Sequence, residues 1–356
     1  MSTKDGKKKV RVGFVGVGGM GQCAHLRNYA TLADCEVVAL SEPRKETAKA
    51  VAQRYNIGGV YSEASEMIKK ENLDALVASQ PFTRHGVIIP ELLGARIPVF
   101  IEKPLSSTIE SGEKILGALK KSDTWIMVGY HKRSDPASMH AKKEIEKLKK
   151  SAEIGRMKYI RVLMPAGDWI SNGFFDLINK DDYLKNLPSE PAPTDMDAEN
   201  YKKYIGFVNY YIHQVNLIRY LIGESYKVTY ADPNGVLLAG TSEKGIAVSL
   251  EMSPYSTTLD WQESALVCFE KGWVKLELPS PLRINTPGRV EIFKDPGSGK
   301  VPETVIPQMP WIHAMRQQAV NFVSAVRGDI PNMCDASEAL EDLKVARQYL
   351  KHLTGK

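Results

Sequence analysis

The chain has 356 residues, 43% of them hydrophobic and 25% charged, with a formal net charge of +5. That length sets an expectation of two domains, and the composition is that of an ordinary soluble protein with a sizeable core. Dominant disorder and a collagen-like repeat are both excluded.

Lys4, Lys7, Lys8 and Lys9 crowd the first nine residues and read as a solvated start. No basic stripe follows them, so no nucleic-acid partner is expected. Cys23, Cys35, Cys268 and Cys334 stand far apart with no CxxC pair. That spacing suits neither a disulfide framework nor a metal site, and it fits a reducing cytoplasm. No apolar run nears the ~20 residues of a membrane span, and no signal-peptide pattern is visible.

The first third alternates strand and helix signals. Residues 10–17 (VRVGFVGV) read as a buried strand and 20–32 as a helix. A second strand at 36–40 and a second helix at 46–55 follow. Short apolar runs at 75–79, 99–101 and 126–128 alternate with helical segments near 84–94 and 107–121. This order predicts a doubly wound parallel sheet of Rossmann type.

After about residue 130 the pattern changes. An amphipathic helix near 137–150 and a strand at 159–164 precede an irregular stretch, 165–203. So long a connection reads as a functional loop or lid. A helix at 205–222 leads into six successive strands between 226 and 294, and then helices near 311–326 and 336–353, the last capped by Asp335. The fold class is therefore α/β: a Rossmann domain over 1–131, then an α+β domain over 132–356 with a large, mostly antiparallel open sheet. The closing helix is open to packing back on the first domain. The site is expected at the carboxyl ends of the parallel strands, where the two domains meet.

Gly16, Gly18 and Gly21 make GxGxxG, with Gly19 and Met20 inside the loop. The motif follows a buried strand and opens a helix, which is the context it requires. The helix N-terminus offers N–H donors to a pyrophosphate. Glu42 lies 42 − 21 = 21 residues past the last glycine, at the end of the second strand, where an acid takes the ribose hydroxyls. Its charge favours NAD over NADP. Arg44 is open to three uses: holding a 2′-phosphate, lying over adenine, or starting a helix.

A further strand ends in Glu102-Lys103-Pro104. Proline keeps Lys103 extended and so aims its ammonium out of the strand end. A solvated surface lysine is the competing reading.

Together these stretches resemble the glucose–fructose oxidoreductase/inositol dehydrogenase family, written Gfo/Idh/MocA. The matching segments are GFVGVGGMGQ, VVALSEP, ASQPFTRH, IPVFIEKPLSSTIESGEKI, GYHKRSDPA and HQVNLIRYLIG. The resemblance implies an oxidoreductase of sugars, cyclitols and related hydroxy compounds. It implies that Lys103 is catalytic near the substrate hydroxyl. It also places Gln80, Pro81 and His85 in a cofactor-facing loop beside Glu102 and Lys103.

On the 205–222 helix, Asn209, His213, Asn216 and Tyr220 share one face. A polar stripe on an apolar helix must be satisfied by the protein or by a ligand. The family pattern has aspartates where this chain has Asn209 and Asn216. With amides beside it, His213 is expected to stay neutral and to serve as the base, with Asn209 and Asn216 binding hydroxyls or orienting His213. A satisfied core histidine is the alternative. Arg133 is expected at the cleft rim with Lys132 and Asp135, and Asp168 with Trp169 is expected to bind hydroxyls and a sugar's C–H face.

The expected function is NAD-dependent hydride transfer from a secondary hydroxyl of a sugar, glycoside or cyclitol, through Lys103 and His213. Two alternatives stand beside it. One is a glycosidase or lyase that retains NAD and oxidises the sugar transiently. The other is a non-catalytic NAD-binding regulator. A homo-oligomer, dimer or tetramer, is expected.

Overall fold

The structure, a computed structural model, describes residues 8–184 and 187–355. Lys4 and Lys7 of the basic start lie outside the described residues. By its internal contacts the chain falls into two units. Unit 1 holds the described residues up to Tyr130, those of Asn172–Asp195, and Met315–Leu340. Unit 2 holds His131–Ser171, Met196–Ala314 and the described residues from Glu341.

Unit 1 begins with β1 (Val10–Val15), a π-type turn (Gly21–Leu26) running into α1 (Arg27–Tyr29), and β2 (Cys35–Ser41). It continues through α2 (Lys45–Tyr55), β3 (Gly59–Tyr61), α3 (Ala64–Lys70) and β4 (Ala75–Ala78). Then come α4 (His85–Leu92), β5 (Val99–Glu102), α5 (Ile109–Leu119) and β6 (Ile126–Gly129). The strands form one parallel sheet in the order β3-β2-β1-β4-β5-β6, the doubly wound arrangement. Every residue of β4, β5 and β6 is buried, because helices cover both faces of such a sheet. Phe14, Phe100, Tyr29 and Phe322 lock edge to face in its core.

The expected strands and helices of this unit appear within a few residues of their predicted bounds. β3 and α3 went unread: β3 has three residues, and α3 buries only Met67. Neither is long enough to show a period.

Unit 2 opens with α6 (Pro136–Ser151), β7 (Met157–Ala166) and α7 (Ala198–Ile222). α7 starts earlier than expected, because Asp197 caps it by accepting from the Asn200 N–H at 2.8 Å. Next are β8 (Tyr226–Ala231), β9 (Leu237–Ser242), β10 (Ala247–Ser256) and β11 (Ser264–Phe269). They are followed by β12 (Gly272–Glu277), β13 (Arg289–Lys294) and β14 (Glu303–Val305). The sheet order is β14-β13-β12-β11-β7-β10-β9-β8, with β7 and β10 parallel and the other pairs antiparallel. Side chains alternate across it: Ile160, Val162 and Met164 are buried, as are Ala265, Val267 and Phe269. α6 and α7 pack on the buried face.

The last helices are α8 (Ala314–Val326) and α9 (Ala336–Thr354). Asp335 caps α9, accepting from the Glu338 N–H at 2.8 Å. Among the described residues no helix is long and apolar enough to cross a membrane.

Candidate active site

The glycine loop follows β1 directly. Gly16 sits at φ +91, and a Cβ there would lie 2.2 Å from Gln80 Nε2 and 2.6 Å from the Ser79 carbonyl oxygen. Only glycine fits. A Cβ on Gly21 would lie 2.6 Å from the Gly16 carbonyl oxygen, so the turn packs backbone on backbone. A Cβ on Gly18 would meet nothing within 4 Å. Tight, open, tight is the pattern a dinucleotide pyrophosphate needs: the space is left where the phosphates approach. Among the other loop residues, Met20 is half-buried, and a Cβ on Gly19 would lie 3.5 Å from the Phe174 ring.

Glu42 follows β2 and is 5% exposed. Its Oε2 accepts the Val17 N–H at 3.0 Å. Arg44 donates Nε to Oε1 and Nη2 to Oε2, both at 2.9 Å. Burial alone would push this carboxyl up, but the Arg44 fork and the Val17 N–H outweigh it and hold the carboxyl below its usual range. Of the three uses open to Arg44, the structure shows the start of a helix: it is the N-cap residue of α2, and its guanidinium is folded back on Glu42.

After β4, Gln80 turns its amide onto the glycine loop, donating to the Val15 carbonyl at 3.2 Å and accepting from Arg84 Nη1 at 2.9 Å. Pro81 is exposed. His85 opens α4, fully buried, with Nδ1 3.0 Å from the Pro104 oxygen and 3.2 Å from the Leu105 oxygen. Carbonyls only accept, so Nδ1 carries the hydrogen. Burial lowers the ring's pKa, and the Glu190 charge opposes it only in part.

Glu102 ends β5. Its Oε1 accepts from His25 Nε2 at 2.5 Å and its Oε2 from the Lys103 N–H at 3.0 Å. Burial pushes this carboxyl up, but the His25 hydrogen bond and the His25 and Lys103 charges bring it below its ordinary value. The Lys103–Pro104 peptide is cis.

The described part of 172–195 lies along these same segments. Gln22 clamps Ile178, donating to its carbonyl and accepting its N–H, each at 3.0 Å. Asp182 accepts the Glu46 and Thr47 N–H groups at 3.0 Å, at the start of α2. Glu190 accepts from the Gly86 N–H and from the Ser107 N–H and hydroxyl. The stretch expected as a functional loop or lid is thus, over these residues, a strap bonded within unit 1.

In unit 2 the polar stripe of α7 runs from exposed to buried: Asn209 is exposed, His213 half-buried and Asn216 buried. The His213 ring meets the His131 ring edge to face, with centroids 4.5 Å apart. His131 is therefore a neighbour of the expected base.

Asn216 is not free for substrate, contrary to expectation. Its Oδ1 accepts from Arg133 Nε at 2.6 Å and its Nδ2 donates to Asp342 Oδ2 at 2.7 Å. Arg219 completes the cluster, donating to Asp342 Oδ1 at 2.8 Å. Arg133 is likewise no rim residue: it is 3% exposed and lies 5.0 Å from the Tyr220 ring centroid. Lys132 is buried on Glu263, which also accepts from Gln214 at 2.7 Å. Asp135 is buried as the cap of α6. A buried polar group must be paired, and this network pairs its members inside the unit.

Asp168 accepts the Ile170 and Ser171 N–H groups through Oδ1, both at 3.0 Å. Trp169 follows it, its carbonyl accepting from the Leu282 N–H at 3.3 Å.

The parallel sheet order, the glycine loop and the acid after β2 define a dinucleotide-binding Rossmann fold. Residues 10–130 match the model of the oxidoreductase family with an NAD-binding Rossmann fold, GFO_IDH_MocA.

The chain is 24% identical over 223 residues to a myo-inositol 2-dehydrogenase from Thermotoga maritima, covering 63% of this chain and 58% of that one. It is 25% identical over 289 residues to an inositol 2-dehydrogenase from Corynebacterium glutamicum, covering 78% and 76%. The match to the Thermotoga relative spans less than two thirds of its length. A crystal structure from Desulfitobacterium hafniense, described as a candidate NADPH-dependent oxidoreductase, superposes with a TM-score of 0.76 at 14% identity, covering 98% and 96%. At that identity the likeness bears on the fold.

Proposed function

We propose that the chain is an NAD-dependent dehydrogenase that oxidises a secondary hydroxyl of a sugar, glycoside or cyclitol. The observation that carries this reading is the line of Gly16, Glu42, Gln80 and Lys103. Each follows the carboxyl end of its strand, β1, β2, β4 and β5, and these strands lie side by side in the sheet. The inositol dehydrogenases among the relatives support the substrate class.

NAD, when bound, supplies the acceptor for the hydride that leaves the carbinol carbon. Gly16 to Gly21 hold its pyrophosphate and Glu42 its ribose hydroxyls. Lys103 hydrogen-bonds the reacting oxygen and stabilises its developing negative charge. His213 takes the hydroxyl proton, with His131 packed against its ring. Asn209, Asp168 and Trp169 bind the rest of the substrate. Glu42 repels a 2′-phosphate, and this supports NAD over NADP. A homo-oligomer of this chain fits the open, charge-paired face of the second sheet, where Arg161 meets Glu251 and Arg289 meets Glu291.

A second reading has one observation in its favour. The strap bonds to the glycine-loop helix, to α2, to α4 and to Ser107, which suits a cofactor kept in place through the cycle. NAD that stays with the protein through gel filtration, together with sugar turnover that releases no NADH, supports that reading. NADH release on mixing with a polyol supports the first.

A further inference from the structure

We propose that His25 and His85 are positioning residues that hold Lys103 from its two sides. The proposal rests on the reading of Lys103 as the group at the reacting oxygen.

Lys103 has no regular element of its own. β5 ends one residue before it, and Ile109 opens α5. Two imidazoles bridge this gap. Upstream, His25 Nε2 donates to Glu102 Oε1 at 2.5 Å, and the other oxygen of that carboxylate takes the Lys103 N–H at 3.0 Å. Downstream, His85 Nδ1 donates to the Pro104 and Leu105 carbonyls at 3.0 and 3.2 Å.

Both rings are buried, His25 at 1% exposure and His85 at 0%. Their orientations are fixed. His25 stands edge to face on Phe100 at 5.1 Å, and His85 meets only acceptors at Nδ1.

The histidines come from different places. His25 lies in the π-type turn that continues the glycine loop, and His85 begins the helix after Gln80 and Pro81. The two cofactor-facing segments are thereby tied to the catalytic turn. A reacting group is effective only when held in register, and ~1 Å of misplacement can cost about 10²-fold in rate.

The two sites use different ring nitrogens, and this gives a test with opposite signs. An asparagine amide reaches about as far as Nδ1, and a glutamine amide about as far as Nε2. The experiment measures kcat and KM on the best polyol found, with NAD dissociation constants, for Ala, Asn and Gln at each site.

His85→Ala and His25→Ala are expected to lower kcat about 10- to 100-fold, with KM and NAD affinity within about threefold. His85→Asn and His25→Gln are expected to recover most of the rate, whereas His85→Gln and His25→Asn do not. Loss of packing alone would not give this crossed pattern. Where an alanine variant does not fold, the Asn and Gln contrast decides. Equal rates for Asn and Gln at each site overturn the proposal. So does a loss carried by NAD affinity with kcat intact.

If the wild-type protein turns over no polyol or sugar, the functional reading fails, and positioning is then read from Lys103 itself. Its labelling by pyridoxal phosphate and borohydride, followed by peptide mass spectrometry, should change at least threefold in the alanine variants. The same crossed recovery is expected. Unchanged labelling of Lys103 overturns the proposal.

Discussion

Arg44 grips Glu42 as a fork: Nε lies 2.9 Å from Oε1 and Nη2 lies 2.9 Å from Oε2. The Arg44 N–H adds a bond to Oε1 at 3.2 Å, and the Val17 N–H, from the glycine loop, donates to Oε2 at 3.0 Å. The acid proposed to take the ribose hydroxyls thus also occupies a guanidinium that would otherwise be open to a 2′-phosphate.

Removing the acid should therefore act twice. Glu42→Ala is expected to weaken NAD binding and to release Arg44 for the phosphate of NADP. The ratio of NADP to NAD affinity should rise about 10- to 100-fold, each tenfold being ~1.4 kcal/mol. Fluorescence titrations with both cofactors measure it. A ratio unchanged by the substitution contradicts this account of cofactor choice.

The strap predicts a protease phenotype. Gln22 holds Ile178 by two bonds and the Val17 carbonyl by a third at 2.7 Å. Each bond contributes about 0.5–1.5 kcal/mol net. Gln22→Ala should loosen the strap and speed tryptic cleavage after the exposed Lys180 by roughly tenfold or more. Saturating NAD should slow that cleavage in both proteins. Equal cleavage of the variant and the parent would show that Gln22 does not hold the strap.

Asp135 gives a pH dependence. It accepts the Ala137 N–H at 2.8 Å and the Gly288 N–H at 3.0 Å. Burial raises its pKa from 3.8 to about 6, the backbone donors opposing it only in part. Between these values the folded state binds more protons than the unfolded chain, so stability falls as pH rises. The contribution is fully present below 3.8 and is lost by about 6. The full span is on the order of 3 kcal/mol at ~1.36 kcal/mol per pKa unit. Asp135→Asn keeps the cap acceptor without the titration. Its stability relative to the parent, from urea unfolding, should climb through this window and stay flat above it. A difference independent of pH would contradict the assignment.

The glycine loop, Glu42 and Lys103 were legible in the sequence because each belongs to a local pattern: a turn, a strand end, a Lys-Pro pair. The doubly wound parallel sheet followed from alternation and crossover handedness, whereas its edge strand β3 was too short to read. The partners were not legible. His25 and Glu102 are 77 residues apart, and Asn216 and Asp342 are 126 apart. Nothing in a helical period tells whether an asparagine's amide faces a ligand or a distant carboxylate. The stripe on α7 was read correctly as a stripe, yet its buried end is satisfied within the protein. The strap escaped for a related reason: 165–203 carries no period, and its bonds to Gln22, Thr47 and Ser107 are long-range.

The central claim is hydride transfer from a carbinol carbon to NAD with Lys103 at the reacting oxygen. NADH absorbance tests it most directly, with purified protein, NAD and a panel of inositols, hexoses and glycosides. NADH is expected with at least one of them. Lys103→Ala should lower that rate by about 10²-fold or more while NAD affinity stays within a few-fold. Full NAD binding with no NADH from any member of the panel, or a Lys103→Ala variant with near-normal kcat, would contradict the account.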